Sequence, residues 1–485
     1  FAIIILMSEQ KVVTRFAPSP TGFMHVGGVR TALFAWLLAK QNNGTFILRI
    51  EDTDKKREVK GGTEQIIKSL KSLGIDWQEG IDIGGPNGPY LQSERLDIYK
   101  EWAKKLIEKG LAYADPYTSE ELDAFRQEAR DNKKPFLYRD HRPENPPMWD
   151  GTQALRFKSS PKRYTWTDAI MGELSAGEEA IDDFILIKKD GYPTYNFCHI
   201  IDDYLMHVTH ILRSQEFISS VPKFLNLYEA LEIEKPVLAT LPFVMAIDGK
   251  KKLAKRDGAK DVLDYHKDGI LTEALINFLA TLGWNDGTEQ EIFSKEELIE
   301  KFSLKRVQTS PARFDEARLI WLNGQWIRRL SLDELYERAK EFFPESAKDF
   351  DEPYKKQVLL LIKDRLKTLK DLTDHTSYFF TEPKIDMDLI NGNKQLKKLS
   401  KEDLINLLES ATSDFSAIDD FSSQNIMDVL NNLLEKTGQK PGILFSLIRI
   451  ATTWAPFSPE LDKTLEVIGK EKTINRLRTT IEAVR

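Results

Sequence analysis

The chain has 485 residues, of which 41% are hydrophobic and 30% are charged, with a formal net charge of −7. This composition is typical of a soluble globular protein and argues against a chain that coats nucleic acid with uniform positive charge. A local basic surface remains compatible with it, because steering depends on the distribution of charge. The length exceeds one ordinary core, so we expect about three to five domains.

Cys198 is the only cysteine in the sequence. It excludes an intrachain disulfide and argues against a zinc cluster built on cysteines, and it is in keeping with a reducing cytoplasm. The first six residues are apolar, but this run is too short to span a membrane and lacks a cationic start and a cleavage site. We expect Met7 to be the initiator, no membrane association, and a monomer.

The first predicted elements are a strand over residues 11–16, a turn with two prolines, and a helix over residues 29–40. His25, Gly27 and Gly28 therefore lie at a helix N-terminus just beyond the carboxyl end of a strand. Unpaired backbone N–H groups and the helix dipole favour phosphate there, and glycines allow close approach. His25 can donate a hydrogen bond to a phosphate oxygen. A simple turn with a structural histidine has the same pattern, so both interpretations stay open.

A second predicted strand, residues 46–50, follows this helix and completes a β-α-β unit with parallel pairing. It runs into Glu51-Asp52-Thr53-Asp54. Acidic residues just past a strand's carboxyl end stand where open α/β sheets bind ligands. Another helix is predicted over residues 62–73.

The glycines and prolines of residues 84–89 form a strong break in the pattern and predict the start of a separate module. That module contains a helix over residues 93–109 and a strand over residues 154–157. Two further strands are expected to return the chain to the first sheet, and a third is expected to be buried: residues 183–188, 192–197 and 207–213.

From Leu271 onward the pattern is helical. Apolar residues at helical spacing predict a helix over residues 358–372, and a second such run covers residues 426–434. Ser422 or Ser423 is the expected N-cap of the latter and Gly438 its stop. The chain is therefore expected to consist of an α/β half followed by an all-α half.

Residues 250–258 have the sequence Lys-Lys-Lys-Leu-Ala-Lys-Arg-Asp-Gly. Most lysine runs are solvated basic loops. Such a loop can also fold over a triphosphate, because point charges on long stems neutralise charge as pyrophosphate leaves.

Two of these segments resemble motifs of class I aminoacyl-tRNA synthetases. The run Pro-Ser-Pro-Thr-Gly over residues 18–22, with His25, Gly27 and Gly28, resembles their HIGH element in the form of the glutamate and glutamine branch. Residues 252–256 are similar to their KMSKS loop, with Ala254 in place of the middle serine.

From about residue 11 to its end, the chain resembles bacterial-type glutamyl-tRNA synthetases. The helical C-terminal half is unlike the anticodon-reading β-barrels of glutaminyl-tRNA synthetases, and the length argues against the short relative that glutamylates a modified base. The resemblance implies a Rossmann-type parallel-sheet catalytic domain with an α+β insertion, followed by an all-α anticodon-binding half.

The resemblance also implies the residues of two substrate sites, with His25, Lys252 and Lys255 as the catalytic residues. The implied ATP-binding residues are Pro18, Gly22, His25, Gly27, Gly28, Lys252, Leu253, Lys255 and Arg256. The implied glutamate-binding residues are Arg15, Ala17, Ser19, Glu51, Tyr195, His199 and Arg213.

The chain departs from the family pattern at two places beside this pocket. His199 stands where relatives commonly have asparagine, and Ser214-Gln215-Glu216 replaces a more usual Gly-Glu-Glu type sequence. Both departures leave Arg15 and Arg213 in place, but they bear on the fine geometry of the pocket.

Arg365 falls where the family carries an arginine implicated in contacts with the last anticodon base. Lys363, Lys367 and Lys370 lie on the same predicted helix, where a solvated face explains them equally well. Some bacterial relatives hold zinc in the acceptor-binding insertion, but residues 111–143 contain no cysteine and only His141, so we predict no zinc.

The resemblance divides the chain into five parts. These are the first half of the catalytic domain (7–90), an acceptor-stem-binding insertion (91–190), the second half with the lysine-rich loop (191–265), a stem-contact helical domain (266–330) and an anticodon-binding domain (331–485, with two subdomains split near 380).

The implied reaction joins L-glutamate to ATP, with Mg²⁺, and transfers the glutamyl group to the 3′ end of tRNA(Glu). A non-discriminating enzyme that also charges tRNA(Gln), a non-catalytic tRNA-binding paralogue and a small-molecule adenylyltransferase remain alternatives.

Overall fold

The computed structural model describes residues 11–22, 24–253, 260–455 and 457–485. The chain divides into two compact units: Phe1–Tyr265 with Thr272–Arg318, and His266–Leu271 with Leu319–Arg485. Ala254, Lys255 and Arg256 of the lysine-rich segment lie outside the described residues. The division into five domains stays a prediction.

The first unit is built on parallel strands. β1 (Val13–Phe16), β2 (Thr45–Leu48) and β3 (Glu79–Gly80) pair in that order, and α1 (Val26–Gln41) joins β1 to β2. All four residues of β2 are buried, as is most of α1. These apolar residues form the core beneath the sheet, and the predicted β-α-β unit is confirmed.

A second parallel pair continues beside β1. β9 (His210–Ser214) pairs with β10 (Val237–Leu241), and the backbone N–H of Thr209 donates to the carbonyl oxygen of Val13 at 2.9 Å. The starts of β1 and β9 therefore lie side by side. The predicted buried strand at residues 207–213 is confirmed, displaced slightly toward its carboxyl end.

A small antiparallel sheet stands in the segment between the two halves of the parallel sheet. β4 (Ala112–Ala114), β5 (Leu155–Phe157) and β8 (Ile185–Ile187) pair in that order, and β6 (Tyr164–Asp168) forms a hairpin with β7 (Gly172–Ala176). The expectation that residues 183–188 return to the first sheet is wrong, because β8 pairs with β5.

The strand predicted over residues 192–197 is also wrong. Tyr192, Thr194 and Tyr195 have side chains that favour strands. Thr194 instead is the N-cap of α5 (Tyr195–Leu205), with φ −83° and ψ 156°. Its hydroxyl donates to the Ile185 carbonyl oxygen at 2.6 Å, which fixes this turn against β8.

The first unit contains further helices and short strands. They are α2 (Gly62–Ser72), α3 (Leu96–Glu108), α4 (Ser119–Asp131), α6 (Val221–Leu231), β11 (Val244–Met245), α7 (Val262–Lys267), α8 (Thr272–Ala280), α9 (Lys295–Lys301), β12 (Ala312–Arg313) and α10 (Glu316–Arg329). α7 and α10 run across the limits between the two units.

The second unit is helical throughout its described residues. Its helices beyond α10 are α11 (Leu332–Ala339), α12 (Glu352–Ile362), α13 (Asp371–Phe380), α14 (Met387–Asn391), α15 (Lys401–Ser416), α16 (Ser423–Thr437), α17 (Pro441–Thr453), α18 (Leu461–Ile468) and α19 (Lys470–Val484). Ser422 caps α16 and Gly438 ends it at φ 66°, as predicted.

The single helix predicted over residues 358–372 is wrong, because the chain breaks between α12 and α13. A 3₁₀ turn follows at Lys363–Arg365. The Asp371 carboxylate then accepts the backbone N–H groups of Lys367 and Thr368 at 3.0 and 2.8 Å. These local hydrogen bonds compete with helix continuation, while the apolar residues of the stripe remain buried.

Among the described residues, no helix is both long enough and apolar enough to cross a membrane.

Candidate active site

A cavity of about 980 Å³ opens at the carboxyl ends of β1 and β2. It brings together thirteen of the residues predicted for the two substrate sites: Arg15, Ala17, Pro18, Ser19, Gly22, His25, Gly27, Gly28, Glu51, Tyr195, Arg213, Lys252 and Leu253. His199 is not among the lining residues, and Arg365 belongs to the other unit. Segments more than 200 residues apart in the sequence thus line one space.

His25 is the N-cap of α1, as predicted for a helix N-terminus at this turn. Its Nδ1 accepts the backbone N–H of Gly27 at 3.2 Å. A neutral ring that accepts at Nδ1 carries its proton on Nε2, so that Nε2 is the donor nitrogen of this ring. A Cβ on Gly28 would have no atom of the described residues within 4 Å, apart from its own helix backbone and chain neighbours, so these residues leave the backbone open at this point.

Arg15 projects from β1 into a buried ion pair. Its Nε and Nη2 donate to the two carboxylate oxygens of Asp203 at 3.0 and 3.2 Å. Burial lowers the pKa of Arg15, but the charge of Asp203, its hydrogen bonds and the charge of Tyr195 together make the net direction upward. Arg15 therefore lines the cavity as a permanent cation whose orientation is set from α5.

Arg49 and Glu51 extend this network along β2 and past its end. Nη1 of Arg49 donates to Asp203 at 2.8 Å, and Nη2 donates to Glu51 at 3.2 Å. Burial raises the pKa of Glu51 to about 7, with the charges of Arg49 and Arg15 opposing it. Glu51 is consequently a carboxyl group that changes its charge near neutral pH.

Arg213 is a cavity residue whose guanidinium has hydrogen-bond donors left unsatisfied by the part of the chain that the structure describes. The residue is buried, and its Nε and Nη1 have no hydrogen-bond partner among the described residues. Its guanidinium carbon lies 5.1 Å from the centre of the Phe224 ring. A buried guanidinium with open donors is suited to an anionic ligand, because a carboxylate can accept from two of its nitrogens at once.

His199 stands behind the cavity wall. Its ring stacks on Tyr195 with centroids 4.5 Å apart and planes at 9°, and its Nδ1 lies 2.6 Å from the Tyr195 carbonyl oxygen. Burial and then the charge of Arg213 lower its pKa, so this side chain is neutral. In this arrangement His199 supports Tyr195, which itself lines the cavity.

Lys252 reaches the cavity from the residues that follow β11. Its Nζ lies 2.7 Å from a carboxylate oxygen of Glu216, and both side chains are about half exposed. An ion pair this exposed is weak and exchanges readily. Lys252 can therefore leave Glu216 for a more highly charged partner.

Several functional neighbours were missed by sequence reasoning. Asp203 and Arg49 hold the network, and Arg30, Lys188 and Phe217 line the cavity. Charged residues inside otherwise apolar stretches were the available signal, since such residues are rarely buried unless paired.

Arg365 lies on the 3₁₀ turn after α12, beside a small depression of the second unit. The depression is also lined by Ile362, His375, Tyr378, Phe457, Ser458 and Pro459. Burial and then the charge of Arg365 lower the pKa of Arg449, whose Nε donates to Ser458 at 2.8 Å. Two guanidinium groups thus make this face positive.

Among the described residues, no group of three or more histidine, cysteine, aspartate or glutamate side chains is placed to hold a metal ion. The predicted absence of zinc stays a prediction.

Comparison with known families assigns the class. The family described as the catalytic domain of class I tRNA synthetases (E and Q) matches residues 11–321, and the anticodon binding domain family matches residues 334–481. The chain therefore belongs to the class I aminoacyl-tRNA synthetases of the glutamate and glutamine group. The predicted fold class, with its parallel-sheet catalytic domain and helical C-terminal half, is confirmed.

Within this class, several similar proteins are named glutamate–tRNA ligases. The chain is 39% identical to a glutamate–tRNA ligase of Clostridium botulinum, covering 98% of this chain and 99% of that protein. It is 39% identical to one of Dehalococcoides mccartyi, covering 97% of each.

The crystal structure of a glutamate tRNA ligase from Elizabethkingia meningosepticum in complex with its amino acid is 33% identical, with a TM-score of 0.89. The match covers 98% of this chain and all of that one. The resemblance found from the sequence is confirmed.

Proposed function

We propose that the protein is a glutamate–tRNA ligase, which activates L-glutamate with ATP and transfers the glutamyl group to the 3′ end of tRNA(Glu). The observation that carries the proposal is the shared cavity. Its lining includes the His25 turn and Gly28 as well as Arg213 and Glu51. Such a cavity suits a phosphate-bearing ligand next to a ligand with one cationic and two anionic ends.

In the first step an α-carboxylate oxygen of glutamate attacks the α-phosphorus of ATP. The bond from that phosphorus to the bridging oxygen breaks, and pyrophosphate leaves with its charge. Mg²⁺ enters as part of the ATP substrate. No side-chain nucleophile is needed, so the protein contributes orientation and electrostatic stabilisation.

Three features of the site act on the phosphates and the nucleotide of ATP. Nε2 of His25 donates a hydrogen bond to a phosphate oxygen, because Nδ1 already accepts from Gly27. The nucleotide approaches the backbone at Gly28. Lys252 exchanges Glu216 for the triphosphate, with Lys255 and Arg256 assigned to the same task from the sequence.

The contacts with glutamate are assigned from the charges of the cavity residues. The side-chain carboxylate of glutamate pairs with Arg213 and with Arg15. The α-ammonium group of glutamate pairs with Glu51, next to Ser19. Tyr195 forms the wall between them, with His199 behind it. A substrate with a neutral side chain at the same place would leave the Arg213 cation buried and unpaired, which costs binding free energy.

In the second step a hydroxyl of the 3′-terminal ribose of tRNA attacks the glutamyl carbonyl carbon, and AMP leaves. Arg365 is assigned to the last anticodon base, with the nearby Arg449 adding positive charge to that face.

Charging assays with purified tRNA(Glu) and tRNA(Gln) test this proposal. We expect ATP-dependent attachment of glutamate to tRNA(Glu), and pyrophosphate exchange with glutamate, ATP and tRNA present. Absence of exchange under every tRNA condition would overturn the enzymatic proposal and favour a non-catalytic tRNA-binding protein. Glutamate attached to both tRNAs would identify a non-discriminating enzyme.

A further inference from the structure

We propose that Asp203 is a positioning residue of the amino-acid site: its carboxylate orients the guanidinium groups of Arg15 and Arg49, and through them controls the charge on Glu51. This inference rests on the proposed function, because it assigns a role within the glutamate pocket. Asp203 itself is not among the residues that line the cavity.

The geometry of Asp203 is that of a clamp. The residue is almost completely buried on α5, and both carboxylate oxygens are occupied. Oδ1 accepts from Nε of Arg15 at 3.0 Å and from Nη1 of Arg49 at 2.8 Å, while Oδ2 accepts from Nη2 of Arg15 at 3.2 Å.

This contact fixes which edge of Arg15 is left for the substrate. With Nε and Nη2 engaged, Nη1 is the remaining nitrogen, and it lies 3.5 Å from the Leu212 carbonyl oxygen. Arg15 can then offer the substrate carboxylate a donor in one fixed direction. Pre-organisation of this kind lowers the entropic cost of binding.

The same clamp acts on Glu51 through the shared arginine. Arg49 bonds Asp203 with Nη1 and Glu51 with Nη2. The charged and titratable groups that face Glu51 are Arg49, Arg15, Asp203, Tyr195 and Cys198. The carboxylate of Asp203 raises the pKa of Glu51, and both arginines lower it.

These charges predict how glutamate affinity varies with pH. The ammonium group of the substrate needs the ionised form of Glu51, whose pKa is about 7. The KM for glutamate should therefore be low and constant above pH 8, and should rise as the pH falls through 7. Between pH 8 and pH 6 the expected rise is about tenfold, since each pH step below the pKa removes a factor of ten of the ionised form.

The test is Asp203→Asn, which keeps the shape and removes the charge. Loss of the negative charge leaves Arg15 and Arg49 uncompensated, so Glu51 ionises more easily. We expect the midpoint of the pH profile to fall to about pH 6 or below. The KM for glutamate above pH 8 should rise about tenfold, while the KM for ATP should stay within about twofold.

Asp202→Asn is the matched control. Asp202 is the neighbouring residue and equally buried. It accepts from Gln92 at 2.8 Å, Arg95 at 2.7 Å and Tyr99 at 2.9 Å, and its Oδ2 lies 3.7 Å from Nε of Arg49, farther than the hydrogen bonds that Asp203 makes. Its loss should lower thermal stability and should move the pH midpoint for glutamate less than the loss of Asp203 does. Both variants are assayed by tRNA charging from pH 5.5 to 8.5. ATP and tRNA are saturating when glutamate is varied, and glutamate and tRNA are saturating when ATP is varied.

The outcomes separate the two proposals. A wild-type protein that charges no tRNA with glutamate contradicts the proposed function. The second outcome is a wild-type protein that charges tRNA with glutamate and an Asp203→Asn variant whose pH midpoint equals that of Asp202→Asn. This outcome overturns only the role of Asp203. If Asp203→Asn does not fold, Asp203→Glu decides, because a carboxylate displaced by one methylene must move Arg15. A wild-type glutamate KM in that variant would then contradict the inference.

Discussion

At Gly28, the place that a Cβ would occupy has no described atom within 4 Å, whereas a Cβ on Gly27 would lie 3.2 Å from the His25 ring. The two consecutive glycines of α1 therefore have different reasons to lack a side chain. Gly27 leaves room for the cap, and Gly28 leaves room for a ligand. Glycine costs a helix stability relative to alanine, so neither is favoured by helix formation alone.

We predict that Gly28→Ala raises stability and weakens nucleotide binding together. The substitution should add about 0.5 to 1 kcal/mol to the free energy of unfolding, because alanine is the better helix former. The KM for ATP should rise at least about tenfold, because the methyl group displaces the nucleotide from the backbone. Thermal unfolding and steady-state charging kinetics measure the two effects.

Gly442→Ala provides the control for this substitution. Gly442 lies at the start of α17, and a Cβ there would meet only the end of the Gln395 side chain. An unchanged ATP KM is expected for this variant. Equal ATP KM values for wild type and Gly28→Ala would contradict the role given to Gly28.

The sequence was sufficient for residues whose chemistry follows from the turn or from the family motif. His25, Gly27 and Gly28 follow from a strand, a turn and a helix in succession. Asp203 could not be found in this way, because nothing local distinguishes it from Asp202. Only the folded structure directs the Asp203 carboxylate to Arg15 and Arg49. It directs the Asp202 carboxylate to Arg95 and Tyr99, with a longer contact to Arg49 at 3.7 Å.

At the scale of elements, the antiparallel sheet of the insertion is held by buried charges. Asp183, just before β8, accepts from Nε of Arg142 at 2.7 Å, from the hydroxyl of Tyr113 at 2.7 Å, and from the backbone N–H of Ser159 at 2.8 Å. Burial raises the pKa of Asp183, but these hydrogen bonds outweigh it and the pKa is lowered. One carboxylate thus joins three separate segments.

We predict that Asp183→Asn destabilises this part of the molecule locally. The Asp183 carboxylate is buried and accepts from Tyr113 and Ser159 as well as from the partly exposed Arg142, and a buried donor left without its acceptor costs about 1 to 3 kcal/mol. Limited proteolysis should show earlier cleavage within residues 110–190. Asp123→Asn, at an exposed ion pair with Arg126 on α4, is the control, and a cleavage pattern shared by the two variants would contradict the prediction.

Two elements were predicted wrongly for physical reasons. The side chains of residues 192–197 favour a strand, but Thr194 starts a helix because β8 holds its hydroxyl. The stripe over residues 358–372 has helical spacing, yet Asp371 takes up the backbone N–H groups that would continue the helix. In both cases a polar contact determined the secondary structure, and the spacing of apolar residues carries no information about such a contact.

At the scale of the whole molecule, the catalytic-domain family matches residues 11–321 and the anticodon binding domain family matches residues 334–481. Arg365 belongs to the second segment. The break after α12 puts it on an exposed 3₁₀ turn rather than on a helix face. This position gives its guanidinium access to a large partner.

We predict that Arg365→Gln weakens the binding of tRNA and does not change the binding of ATP or glutamate. The KM for tRNA(Glu) should rise about tenfold, as for the loss of one base-contacting arginine, and discrimination against tRNA(Gln) should fall. The KM values for ATP and glutamate should not change. Arg478→Gln, at another exposed arginine of the same unit, is the control. A raised ATP KM in Arg365→Gln would contradict the assignment.

The open guanidinium of Arg213 also decides what kind of inhibitor this cavity can accept. Its buried nitrogens Nε and Nη1 lack partners among the described residues, so a compound that fits by shape but is neutral there would desolvate the cation without satisfying it. An acidic group at that point would supply the counter-charge and accept a charge-assisted hydrogen bond from the guanidinium. Inhibitor design against this cavity should therefore start from compounds that carry an acid at this position, and vary size and apolar groups afterwards.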